Sequence, residues 1–110
     1  MMEEDVVKSM ETSLLELRVG NATQAKTLAT SILRYREEGR SIVLSCIGAV
    51  ALSNGVKAVA MANGELAQQG MFLSVVPGFC TKPLRDRDTG QTIEMTSIRL
   101  VIGCMTLRSS

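Results

Sequence analysis

Residues 47–64, IGAVALSNGVKAVAMANG, constrain the fold more than any other part of the chain. Leu52, Val56, Val59 and Ala60 recur at helical spacing and predict one buried face. Val50, Ala51, Ala58, Met61 and Ala62 fill most of the remaining circumference, and only Ser53, Asn54, Lys57 and Asn63 interrupt it. A helix on the surface of a small domain carries a wide polar face, so a helix without one is covered on more than one side. One cover is the domain's own sheet. The other is a second copy of the chain, with Val56, Val59 and Ala62 as the predicted dimer interface. Gly64 is the predicted helix stop, because glycine takes the left-handed conformation without a Cβ clash.

The 110 residues suffice for one domain. Aromatic residues make up 3% of the chain against 45% hydrophobic in total, so the core is aliphatic. No apolar run reaches the roughly 18 residues of a membrane span. The opening MMEEDVVKSMETS is acidic where a secretory signal is basic and then apolar, which makes the cytoplasm the expected compartment. Cys46, Cys80 and Cys104 are odd in number and lack metal-type spacing. Cys46 lies in an apolar strand and reads as a small buried hydrophobe, and Cys80 and Cys104 fit the same reading.

The net charge of +1 conceals an asymmetry. Residues 1–16 hold five acidic groups against Lys8, leaving eleven basic and six acidic residues in the rest of the chain. A modestly basic domain behind an acidic extension permits a nucleic-acid partner without requiring one.

Taken in order, residues 1–13 have no sustained period and predict a flexible extension. Residues 14–20 alternate Leu15, Leu17 and Val19 with Glu16 and Arg18, the pattern of a strand with one buried face. Asn21 followed by Gln24 predicts a capping box, opening a helix with Ala25, Leu28, Ala29, Ile32 and Leu33 inward and Gly39 as its stop. Residues 41–47 form a nearly continuous apolar run, suited to a central strand. After the apolar helix, residues 71–76 predict a third strand ended by Pro77-Gly78. Residues 80–91, CTKPLRDRDTGQ, predict a protruding polar loop, and residues 93–105 the last strand. The order is βαβαββ, an α/β two-layer sandwich over residues 14–106 with a short tail at 107–110.

The chain has no His, which removes Ser-His-Asp and Cys-His catalysis and the commonest zinc ligand. It contains neither GxxxxGK[ST] nor GxGxxG, and Asp86 and Asp88 alternate with Arg85 and Arg87 as in a locally neutralised solvated loop. The expectation is a non-enzymatic protein with no metal and no cofactor. Lys82, Arg85 and Arg87 lie within six residues on the predicted protrusion, where long cations reach phosphates. A solubilising loop is the competing reading of the same residues. Lys57 is the one charge inside the apolar helix; burying it unpaired is costly, so it reaches a dimer seam or a ligand groove.

LRVG at residues 17–20, the strand end Ile47-Gly48, VKAVA at residues 56–60 and VVPGF at residues 75–79 resemble the stage V sporulation protein S family of the Alba-like superfamily. The resemblance runs over residues 15–105. It implies a mixed four-stranded sheet with two helices on one face. It also implies that the hairpin arm and the loop before the first helix hold nucleic acid. Archaeal Alba proteins carry a lysine pair in that loop; here residues 20–23 are uncharged and the nearest cation is Lys26. The leading function is therefore a nucleic-acid-binding or regulatory protein, acting on DNA or RNA through sequence-independent phosphate contacts from Lys26, Lys57, Lys82, Arg85 and Arg87. The alternative is a structural or assembly protein that acts through contacts between copies or with other subunits.

The extension offers little periodic apolar surface, so deleting residues 1–12 is expected to leave the thermal midpoint within about 5 °C of the full chain, a shift of roughly 1 kcal/mol for a domain of this size. Differential scanning calorimetry of the two chains checks this.

Overall fold

A computed structural model of the protein describes residues 14–106. The acidic extension, residues 1–13, and the tail, residues 107–110, lie outside the described residues. The elements are β1 (Leu14–Val19), α1 (Ala25–Glu37), β2 (Ser41–Cys46), α2 (Ala49–Leu66), a single 3-10 turn (Ala67–Gln69), β3 (Met71–Arg85) and β4 (Thr92–Thr106). They form one mixed four-stranded sheet in the order β1-β2-β4-β3. β1 pairs with β2 in parallel, and β4 lies antiparallel to both β2 and β3.

This order explains why both helices share one face. The β1–α1–β2 and β2–α2–β3 crossovers each join parallel strands and advance in the same direction across the sheet. Right-handed crossovers advancing the same way lay their helices on the same side. Alternation then divides the strands. Leu17, Val19, Ile42, Leu44, Cys46, Leu73, Val75, Ile98, Leu100 and Ile102 point under the helices and form the core with Leu28, Ala29 and Ile32 of α1. Glu16, Arg18, Val43, Ser45, Arg99 and Val101 point to the opposite, open face.

The buried face of α2 is made of its smallest residues. Ala51, Gly55, Ala58 and Ala62, with Val59 and Leu66, are buried, whereas Val50, Val56, Ala60 and Met61 are exposed. The expected face of Leu52, Val56, Val59 and Ala60 is thus rotated. Periodicity alone cannot tell which of two apolar faces meets the sheet, and the smaller residues win because they let the helix backbone come closer. A Cβ added at Gly55 would stand 3.1 Å from Cys46 Sγ and 3.4 Å from Leu100 Cδ1.

Helix boundaries also differ from the sequence reading. α2 runs past Gly64 to Leu66, and the left-handed residue that stops the helical path is Gly70, with φ 72°. Asn63, read as an interruption of the apolar helix, is a docking group. Its Oδ1 accepts from Leu73 N at 2.6 Å and its Nδ2 donates to Leu73 O at 3.4 Å, which keeps the helix in register with β3 past Gly64. The capping box before α1 does not form. Gln24 is the N-cap residue, without a side-chain bond. Thr23 Oγ1 instead accepts from Gly20 N at 2.8 Å, and the Asn54 side chain donates to the carbonyls of Gly20 and Asn21. These bonds shape residues 20–23 into a turn tied to α2, so the helix begins later than its local signal.

The largest departure lies in the hairpin. The sequence pattern predicts an end to the third strand at Pro77-Gly78 and a polar loop from residue 80. β3 instead continues to Arg85, paired without a bulge with β4 from Met71↔Thr106 to Arg85↔Thr92. β3 is an edge strand, which tolerates proline wherever the missing N–H would face outward. Leu73 N–H points outward to Asn63, and Pro77 and Pro83 follow at even spacing, so their nitrogens face the same free edge. Each strand is 15 residues long, about 50 Å at strand rise. β2 covers only residues 98–102 of β4, so residues 80–85 and 92–97 leave the sheet as a two-stranded arm. The arm accounts for the molecule's long dimension of 59 Å.

Gly55→Val is expected to destabilise the fold by about 2 kcal/mol or more, because the added branches meet Cys46 and Leu100 in a packed core. Thermal denaturation should show a midpoint lower by roughly 8–16 °C.

Candidate nucleic-acid interface

The arm ends in a tight turn over residues 86–91. Asp86 N donates to Gln91 O at 2.7 Å and Gly90 N to Asp86 O at 2.8 Å, with Gly90 at φ 72°. The Asp86 carboxylate accepts from Asp88 N at 2.9 Å, an aspartate turn in which the side chain satisfies its own backbone. Asp86 therefore shapes the tip and forms no ion pair with its neighbours. Arg85 and Arg87 are exposed and have no ion-pair partner among the described residues.

Lys82 sits lower on the arm and folds back on the sheet. Its Nζ lies 3.3 Å from Glu16 Oε2 on β1, and Arg99 Nε on β4 lies 3.7 Å from Glu16 Oε1. One carboxylate thus joins the arm, an edge strand and a central strand. Exposed pairs of this kind add little stability, but they orient the arm over the open face. Register places Arg18, Ser45 and Arg99 in one row across three neighbouring strands. Arg18 is exposed and has no acidic partner among the described residues. Arg99 Nε is shielded from solvent and has no hydrogen-bond partner among the described residues. Sequence pattern alone does not single out Arg18 and Arg99 as site residues. Their signal was present as charged residues in the outward phase of two strands, but only register shows that they flank the same serine.

The other sequence-predicted residues are placed as follows. Lys26 is exposed in the first turn of α1, just after the turn that Asn54 holds. Lys57 is exposed on the outer side of α2 and does not join the arm cluster. Of the three residues assigned to a dimer interface, Val56 is exposed, while Val59 and Ala62 are buried by the chain's own core. Tyr35 is flanked by Arg34 at 4.7 Å and Arg40 at 5.7 Å from its ring centre, so its ring is engaged on α1 away from the arm.

The three cysteines are free and differ in surroundings. Cys46 is buried, and that burial raises its thiol pKa above the ordinary value, which keeps it a neutral core group. Cys80 is half-buried at the root of the arm, where Ser97 Oγ donates to its carbonyl. Cys104 is exposed and accepts from Arg36 Nε of α1 at 3.3 Å, so the expectation of a buried hydrophobe fails there: it falls near the end of β4, beyond the residues that pair with β2. Among the described residues, no three His, Cys, Asp or Glu side chains gather as a metal site. No helix among them is long and apolar enough to cross a membrane.

Comparison with protein families gives a match over residues 15–104 to the model described as stage V sporulation protein S. No curated protein matches the chain.

Proposed function

Since its match covers nearly all of the described fold, the chain belongs to the stage V sporulation protein S family, and we propose that this small sporulation-related protein works by binding DNA or RNA through sequence-independent phosphate contacts, without catalysis. The observation that carries the reading is the arm tip. Asp86 serves the turn, so Arg85 and Arg87 stand exposed at the end of a long ribbon, with no ion-pair partner among the described residues. Phosphate oxygens are the acceptors such guanidinium groups suit best. Lys82 follows on the same arm, and Lys26 lies beside the turn at residues 20–23. Lys57, on the outer side of α2, would contact a strand that wraps past the arm.

Replacing Lys82, Arg85 and Arg87 together with Ser is expected to preserve circular dichroism and weaken binding to unrelated sequences alike. Each lost contact flattens the logarithmic salt slope by about 0.7 to 0.9, so three flatten it by roughly 2 to 3 per chain. Fluorescence anisotropy across a salt series measures this. Unchanged affinity and slope would remove the arm from the binding reading.

A second reading rests on the outer side of α2, where Val50, Val56 and Met61 are each at least half exposed. An apolar surface of this kind fits a homodimer or contact with another subunit, with Val56 as the available member of the expected interface. Val56→Asp is expected to separate copies and leave the fold intact, whereas Val59→Asp places an unpaired charge in the core and unfolds it. Light scattering at micromolar concentration reads the first outcome; a monomeric wild-type chain would remove the dimer.

A further inference from the structure

A cavity of about 420 Å³ lies between the open face of the sheet and the root of the arm. Ile47, just past the end of β2, lines it from the sheet side, and Leu84 and Met95 line it from the two strands of the arm. Ile47 and Leu84 are 49% and 55% exposed, so the fold leaves their apolar surface uncovered. Ser45 contributes a half-buried hydroxyl to the wall and has no hydrogen-bond partner among the described residues. Arg18 and Lys82 complete the rim.

The charges around this cavity do not balance. Glu16 is shared by Lys82 at 3.3 Å and Arg99 at 3.7 Å, and Arg18 has no acidic partner among the described residues. Arg18 and Lys82 line the cavity with Glu16, and Arg99 reaches the same carboxylate from beside it, so three cations stand against one carboxylate. A ligand that satisfies the site is flat enough to lie between facing apolar side chains, has a hydrogen-bonding edge for Ser45, and carries an anionic group for Arg18.

We infer that this cavity receives one unstacked nucleotide, its base between Ile47 and the Leu84–Met95 wall and its phosphate on Arg18. The inference rests on the nucleic-acid reading and deepens it by naming single strands as the preferred class. A base inside a duplex cannot enter such a slot without being extruded, which costs unpairing and unstacking energy. Single strands splay their bases readily. Aliphatic side chains and a methionine supply the packing that aromatic platforms supply elsewhere, in a chain with only two Phe and one Tyr.

Three probes test it: a 12-nucleotide single-stranded RNA, a 12-base-pair duplex, and adenosine 5′-monophosphate. The full-length chain is expected to bind the single strand more tightly than the duplex. Ile47→Ser with Leu84→Ser, and separately Arg18→Ser, are expected to lower single-strand affinity roughly tenfold, the equivalent of about 1.4 kcal/mol, and to shift duplex affinity less than about twofold. Independently of any substitution, the Met95 methyl resonance should move upfield in the complex, under the ring current of a base seated beside it; Met95→Leu assigns the signal. Displacement of the strand by the mononucleotide at similar concentration would identify a free-nucleotide site, and displacement only at far higher concentration a site for a nucleotide within a chain; either supports the slot. Equal losses for strand and duplex, or an unmoved Met95 methyl at saturation, would overturn the slot while leaving phosphate binding by the arm intact. Absence of binding to both strand and duplex by the wild-type chain would overturn both.

Discussion

At Gly55 the backbone of α2 comes so near the sheet that a single methyl group would reach within 3.1 Å of Cys46 Sγ. Ala51, Ala58 and Ala62, all fully buried, extend that close approach along the helix. The contact trades side-chain bulk for proximity: many weak dispersion contacts between helix backbone and strand side chains replace interdigitating large residues. It also sets the character of the core. Strand residues beneath the helix must be of modest size, and Leu44, Cys46 and Leu100 fill that layer. Cys46 acts there as a neutral filler, since burial disfavours its thiolate.

Placing both helices on one side leaves the other side of the sheet to different chemistry. Val43 is buried on that open face, in the row Glu16–Val43–Val101, while the next row carries Arg18, Ser45 and Arg99. Charge on a sheet face is sustainable where it remains hydrated or paired, and here Glu16 pairs with Lys82 and Arg99 together. The Lys82–Glu16 pair links the root of the arm to β1 across the sheet. The cavity exists because the arm passes over this face without closing on it.

The free edge is managed by three residues. Pro77 and Pro83 remove outward N–H groups from β3, and Asn63 occupies both backbone groups of Leu73. An exposed 15-residue strand would otherwise offer a template for pairing with other chains. Prolines that interrupt a strand when read locally are, in an edge position, compatible with its full length and protective of it.

Local pattern was sufficient for much of the architecture. The alternation of Leu15, Leu17 and Val19, the apolar run at residues 41–47 and the apolar helix after Gly48 specified the element order, and right-handed connections then specified the two-layer sandwich. These features are legible because side-chain period and backbone handedness are properties of short segments. Which face of α2 is buried was not legible, since Val56 and Ala58 are both apolar and only the distance to the sheet separates them. Nor were the late end of α2, the late start of α1 or the extension of β3 through two prolines. Asn63, Thr23 and Asn54 decide those boundaries through partners that are local in space but, for Asn63 and Asn54, distant in sequence. The candidate site divides the same way. The cations of the arm could be named from the chain alone, whereas the convergence of Glu16 with Lys82 sixty-six positions away and the row that joins Arg18 to Arg99 arise only when strand register is set. Register depends on which buried faces meet, and that choice is made by the packed core as a whole.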